Sequence, residues 1–243
     1  MRKITVLGTV FDDIPITEAV EKAISLMDER RGAYAVTPNS EIVLNARRSR
    51  KLRMAIKGAD IVLADSVGVI IASKILGSKI KNRIPGIDFA SALMARMAEE
   101  GRSVFLLGAK EGVAEQAADL LCEKYPGLVI CGTNDGYFTE YDEELIINRI
   151  NESEADFLMV CLGSPKQELW MKKHAPELKV GLMAGLGGSL DVFSGNVKRA
   201  PRRWRSMGLE WLYRLIKEPW RIKRMIKIPE IIFAALAYRI GGK

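Results

Sequence analysis

The sequence predicts an α/β fold: a Rossmann-like, mostly parallel sheet with helices on both faces, followed by a basic helical C-terminal appendage. Three observations carry this reading. Short β-rich runs recur along the chain, segments of helical period lie between most of them, and residues 196–243 change sharply in charge.

The β-rich runs are residues 4–7, 33–36, 61–64, 104–107, 128–131, 157–162 and 180–184. The helical segments are residues 17–30, 40–55, 67–76, 88–99, 113–125, 142–151 and 165–174. Strands that are apolar throughout belong to a sheet covered on both faces, and a helix between two strands returns the chain for parallel pairing. A length of 243 residues with 48% hydrophobic content is enough for a full core. Residues 1–195 therefore read as one α/β domain and residues 196–243 as the appendage.

The appendage holds thirteen Lys or Arg against Glu210, Glu218 and Glu230, a net +10 in a chain whose total is +7. The domain before it is slightly acidic. Trp204, Trp211, Tyr213, Trp220, Phe233 and Tyr238 are spread among the tail's charges. Such a segment suits an anionic surface, either lipid headgroups or nucleic-acid phosphates. No apolar run approaches the ~20 residues of a spanning helix. The run at residues 4–7 is too short for a secretory signal. Cys122, Cys131 and Cys161 are widely spaced in apolar surroundings, as expected of buried thiols in a reducing compartment. His174 is the only histidine and has no ligand-spaced partner.

Ligands of parallel α/β sheets bind beyond the carboxyl ends of the strands. After residues 33–36 comes Thr37-Pro38-Asn39-Ser40-Glu41, where Asn39 or Ser40 can cap a helix. After residues 61–64 comes Asp65-Ser66, a cap or a catalytic carboxylate in a sheltered cleft. Gly108-Ala109-Lys110-Glu111-Gly112 and Gly163-Ser164-Pro165-Lys166-Gln167-Glu168 each open a helix with glycine, which lets backbone N–H groups approach a phosphate. Gly185-Leu186-Gly187-Gly188-Ser189-Leu190-Asp191 is a third Gly-dense turn. Several phosphate-suited strand ends on one sheet point to a nucleotide or sugar nucleotide. A nucleic-acid-binding module would explain the tail but not these ends. A dehydrogenase would need G-x-G-x-x-G after the first strand, where Gly8-Thr9-Val10-Phe11 stands.

T-P-N-S-E at 37–41, G-S-P-K-Q-E at 163–168, G-L-G-G-S-L-D at 185–191, R-A-P at 199–201 and L-E-W-L-Y-R-L at 209–215 occur in this order. Together they resemble the TagA/WecG/CpsF glycosyltransferases over residues 5–224. One departure is Asp65-Ser66, where the family reads Asp-Gly; a serine fits that turn if its φ is negative. The resemblance implies transfer of N-acetylmannosamine from UDP-ManNAc to undecaprenyl-diphosphate-linked GlcNAc, with inversion to a β(1,4) bond, as in wall teichoic acid synthesis. Donors carrying ManNAcA or glucose occur in the wider family. The resemblance also implies a cytoplasmic protein, peripheral on the inner face of the membrane, with no nucleic-acid partner. Whether it forms a homo-oligomer is left open.

Inverting transfer needs a base for the acceptor hydroxyl and positive charge on the departing diphosphate. Asp65 is the sole Asp or Glu directly after a core strand, which makes it the expected base. Thr37 and Asn39 would bind sugar or acceptor hydroxyls. Lys166 and Gln167 would hold the nucleotide, with Gly108, Gly163, Glu168 and Gly187 completing the substrate-binding turns. The chain has no D-x-D pair to hold a metal on a diphosphate. Arginines are then expected to supply the charge: Arg83 from the loop at 82–86, and Arg214, Arg221 and Arg224 from the tail. The three tail arginines fall close to one helix face, although Pro219 should break that helix. No cofactor is expected. Transfer should therefore survive an excess of EDTA, assayed as UDP release; activity lost in chelator and restored by Mg²⁺ or Mn²⁺ would remove the arginine account.

Overall fold

A computed structural model describes residues 2–29, 32–217, 219 and 222–241. The strands are β1 (Lys3–Val6), β2 (Thr9–Asp12), β3 (Ala33–Val36), β4 (Ile61–Val62), β5 (Ser103–Gly108), β6 (Val129–Asn134), β7 (Phe157–Cys161) and β8 (Leu182–Gly185). The helices of the body are α1 (Ile16–Glu29), α2 (Ser40–Arg48), α3 (Arg50–Lys57), α4 (Val67–Ile75), α5 (Gly86–Glu99), α6 (Val113–Lys124), α7 (Glu143–Glu152), α8 (Lys166–His174) and α9 (Ser189–Phe193). The tail adds α10 (Arg202–Ser206), α11 (Glu210–Lys217), α12 (Ile222–Met225) and α13 (Lys227–Ile240).

Six strands form one sheet in the order β4-β3-β8-β7-β5-β6, every neighbouring pair parallel. The period-2 alternation of the strands divides the core in two. Phe157, Met159 and Cys161 of β7, with Leu182 and Ala184 of β8, face a layer that includes α1, α5, α6 and α9. Leu158, Val160 and Met183 face the other layer, packed by α2, α3, α4, α7 and α8. Burial on both faces is why the strands read as unbroken apolar runs.

Three expectations are corrected. The run at residues 4–7 is not part of the parallel sheet: β1 pairs antiparallel with β2 in a two-stranded ribbon of its own. Leu7 and Gly8, both at positive φ (49° and 87°), make the tight turn that forces this hairpin. Asp12 then ties the ribbon to the sheet, its carboxylate accepting from the Val62 N–H at 3.0 Å. The helix expected over residues 40–55 is two helices, because Ser49 leaves helical geometry (φ −116°, ψ 110°) and its hydroxyl caps α3 by accepting from Leu52 N–H. Of the three thiols only Cys161 is buried; Cys131 is half-buried and Cys122 is exposed on α6.

The tail is helical, as its pattern indicated. Its described helices stop at Lys217 and resume at Ile222, on either side of Pro219. It packs closely on the body: α13 lies against α2 and α4, and Ile231 and Ala235 are fully buried in the same apolar layer as Val36 and Val69.

Candidate active site

All six carboxyl strand ends of the parallel sheet open into one cavity of about 950 Å³. Thr37 and Asn39 follow β3, Asp65 follows β4, Lys110 follows β5, Tyr137 and Phe138 follow β6, Gly163 and Gln167 follow β7, and Gly187 and Asp191 follow β8. The remaining wall comes from the tail through Gly208, Glu210, Trp211, Met225 and Ile228.

Local bonds fix the first group. Asn39 is the N-cap of α2, its Oδ1 accepting from Ile42 N–H at 3.0 Å, so the amide nitrogen is the end left for a ligand. Thr37 is buried, its hydroxyl donating to the Gly185 carbonyl at 3.4 Å. Ser66 sits at φ −103°, the negative value a serine needs there, and caps α4 by accepting from Val69 N–H. The same hydroxyl accepts from Ser40 N–H at 3.1 Å and lies 2.9 Å from the Ser40 hydroxyl. The starts of α2 and α4, and with them Asn39 and Asp65, are thereby locked together. Arg83 donates to the Asp65 backbone carbonyl at 3.3 Å, which sets a guanidinium beside the expected base.

A second group is centred on Gln167, which is buried. Its Oε1 accepts from Gly187 N–H at 2.9 Å, while its Nε2 donates to Glu168 Oε1 at 2.9 Å. Gly185 leaves room for that amide, since a Cβ there would lie 2.9 Å from Gln167 Nε2. Gly163 and Gly187 have positive φ (74° and 53°) and open space where a side chain would stand, as a close ligand approach requires. Lys166 is exposed, with Nζ donating to the Gly136 carbonyl at 3.1 Å and lying 4.4 Å from the centre of the Phe138 ring.

Two expected residues do not line the cavity. The backbone of Gly108, at φ 128°, presses on Cys161; a Cβ would come within 2.4 Å of the Cys161 carbonyl oxygen, so glycine is there for strand packing. Glu168 is buried beneath Gln167 and orients it. In the tail, Arg214 lies on α11 and Arg224 on α12, but both side chains, and the whole of Arg221, lie outside the described residues. Sequence reading missed Tyr137, Phe138 and Trp211. The run Asn134-Asp135-Gly136-Tyr137-Phe138, a Gly turn beside aromatics directly after a strand, was the signal that could have found the first two.

The R-A-P residues also gain a role. Arg199 Nη1 meets Asp88 of α5 at 2.6 Å and its Nε lies 3.7 Å from Glu210, pinning the start of the tail over the cavity. Trp204 and Tyr213 then pack edge to face, 5.7 Å between ring centroids, joining α10 to α11.

Residues 4–243 match the model of the Glycosyl transferase WecG/TagA/CpsF family. The chain belongs to this family. It is a glycosyltransferase, and the match takes in the tail as well as the sheet. Among its relatives, the N-acetylglucosaminyldiphosphoundecaprenol N-acetyl-beta-D-mannosaminyltransferase of Bacillus spizizenii is 36% identical over 212 residues, 87% of this chain and 82% of the relative. The protein of the same name from Bacillus subtilis is 35% identical over 210 residues, covering 86% and 81%.

Burial gives the family's G-S-P-K-Q-E segment a measurable signature here. Desolvation holds the Glu168 carboxyl above its ordinary value of 4.5. The folded chain keeps this proton at a pH where the unfolded chain has released it, so stability falls as pH rises through that interval. A Glu168→Gln variant, neutral throughout and still able to accept from Gln167, should resist urea better than the parent at about pH 8, the gap closing toward about pH 4. Equal midpoints at both pH values would mean that Glu168 is no burden to the fold.

Proposed function

We propose that the protein transfers N-acetylmannosamine from UDP-ManNAc to GlcNAc-diphosphate-undecaprenol, inverting at the anomeric carbon to give a β(1,4) bond, in the making of the wall teichoic acid linkage unit. One observation carries it: a cavity in which Asp65, Arg83 and two Gly-rich strand ends converge, in a chain whose relatives are named for that transfer.

In this mechanism the Asp65 carboxylate takes the proton of the acceptor hydroxyl as that oxygen attacks the sugar's anomeric carbon. The bond from that carbon to the diphosphate oxygen breaks, and UDP leaves with the electron pair. Arg83, beside Asp65, stabilises the charge that gathers on the diphosphate, together with Arg214, Arg221 and Arg224 of the tail. The open glycine turns at Gly163 and Gly187 let the nucleotide end lie close to the backbone, the second turn being held in shape by Gln167. Thr37 and Asn39 orient the reacting hydroxyls. Residues 1–195 serve as the catalytic domain. Residues 196–243 close its cavity and hold the protein on the inner leaflet, where the acceptor's diphosphate head lies. Among the described residues no helix is long and apolar enough to cross a membrane, and a basic aromatic segment gives contact without crossing.

The test is a panel of UDP-sugars offered with a short-chain lipid-diphosphate-GlcNAc acceptor, the disaccharide being identified. ManNAc-β(1,4)-GlcNAc is the expected product, and a different sugar in it would overturn the donor. Asp65→Asn keeps the side chain's shape but removes its basicity. Turnover should fall roughly 10²-fold or more with UDP affinity little changed. Turnover close to that of the parent would leave Asp65 with a structural part only.

A further inference from the structure

The tail holds much of the chain's positive charge, yet a second cationic segment lies in the body. Residues 45–57 contain Arg47, Arg48, Arg50, Lys51, Arg53 and Lys57 and no acid. All six side chains are exposed. Among the described residues only Arg48 of the six has a carboxylate partner, Glu230 of α13 at 2.9 Å.

Helix stability accounts for some of these. Arg47 and Arg48 lie in the last turn of α2, and Lys57 in the last turn of α3, where the negative helix end favours cations. Arg50 and Lys51 do the opposite. They occupy the first turn of α3, which has no acid, so they sit against the positive end of the helix. The dipole of their own helix therefore gives no reason for these two charges.

The neighbouring surface supplies one. α13 packs against α2; its outer side presents Phe233 (70% exposed), Leu236 and Ile240 (85% exposed) to solvent, and Tyr238 lies on its flank. Tyr238, Arg47 and Arg53 line one small cleft beside the turn of the β1–β2 ribbon, and Arg48 pairs with Glu230, so the cations border α13 at two points along its length. Phosphates of any polymer would satisfy the arginines. Exposed Leu and Ile beside them fit an acyl boundary and have nothing to offer a nucleic acid.

We infer that the α2–α3 cations and the outer side of α13 form one docking surface for the headgroups of an anionic phospholipid leaflet. This rests on the reading of the acceptor as lipid-linked, and it extends membrane contact from the tail to the catalytic body. The placement fits. α2 starts at the cavity wall beside Asn39, and α13 has Ile228 in the same wall. Arg47 is eight residues beyond Asn39, roughly 12 Å along a helix. A leaflet on this surface would hold a lipid-linked diphosphate close to the mouth of the cavity.

The test uses the full chain with Arg50→Gln, Lys51→Gln and Arg53→Gln combined, none of which lies in the cavity. Co-sedimentation with vesicles rich in phosphatidylglycerol should weaken by roughly a hundredfold in partition coefficient, given the size of the attraction each basic residue feels near an anionic leaflet. Transfer to a short-chain, water-soluble acceptor should stay at the parent's rate, and Arg50→Lys with Arg53→Lys should keep vesicle binding. Unchanged partition of the triple variant would overturn the inference. So would a changed sedimentation mass with unchanged partition, which would make the face a contact between copies, or tighter binding of the parent to an oligonucleotide than to vesicles. A parent that transfers no sugar even to the soluble acceptor would instead overturn the proposed function, and the vesicle result would still be readable.

Discussion

A parallel sheet buried on both faces leaves only its rims free, and here one rim carries the site. Each of the six strands runs in the same direction, so each delivers its following loop to the same edge of the molecule. Helix N-termini gather at that edge too, α2, α4 and α8 among them, with N–H groups and positive dipole ends directed toward it. An edge built this way is electropositive before any side chain is added. Such an edge already suits an anionic ligand, and a carboxylate placed among its donors adds a group able to take a proton. Asp65 is held there through its own backbone, its N–H donating to the Pro38 carbonyl and its carbonyl accepting from the Arg83 guanidinium.

The second constraint is that the cavity is incomplete without the tail. Arg199 reaches back to Asp88 and toward Glu210, and the chain beyond contributes Trp211, Met225 and Ile228 to the wall. The appendage is thus both lid and ballast. Its last helix fills a gap in the apolar layer behind α2 and α4, while its middle faces the ligand space.

Much of this was legible in the sequence because the parts obey local rules. β3, β5 and β7 lie where continuous apolar runs stand, and T-P-N-S-E and G-S-P-K-Q-E mark the strand ends that carry Thr37, Asn39 and Gln167. What escaped depends on the partner an element finds. A four-residue apolar run looks the same in a hairpin as in a central strand, so β1 was assigned to the wrong sheet. Asn39 was recognised as a cap, but the link between Ser66 and Ser40 joins two strand ends far apart in sequence and leaves no local pattern. Gly108 shows the converse: its setting looked like a phosphate turn, yet the requirement for glycine comes from the neighbouring strand. Tyr137 and Phe138 sit in a loop whose part in the cavity depends on where β6 lies at the sheet edge.

The burial of Ile231 and Ala235 has a consequence for how the protein is made. α13 follows every strand of the sheet in the chain, so it is synthesised after the elements it covers. Until it docks, the apolar surface of α2 and α4 lies open and the cavity lacks part of its wall. The sheet can assemble while the chain is still growing, but the cavity takes its full shape only once α13 has been made and has packed.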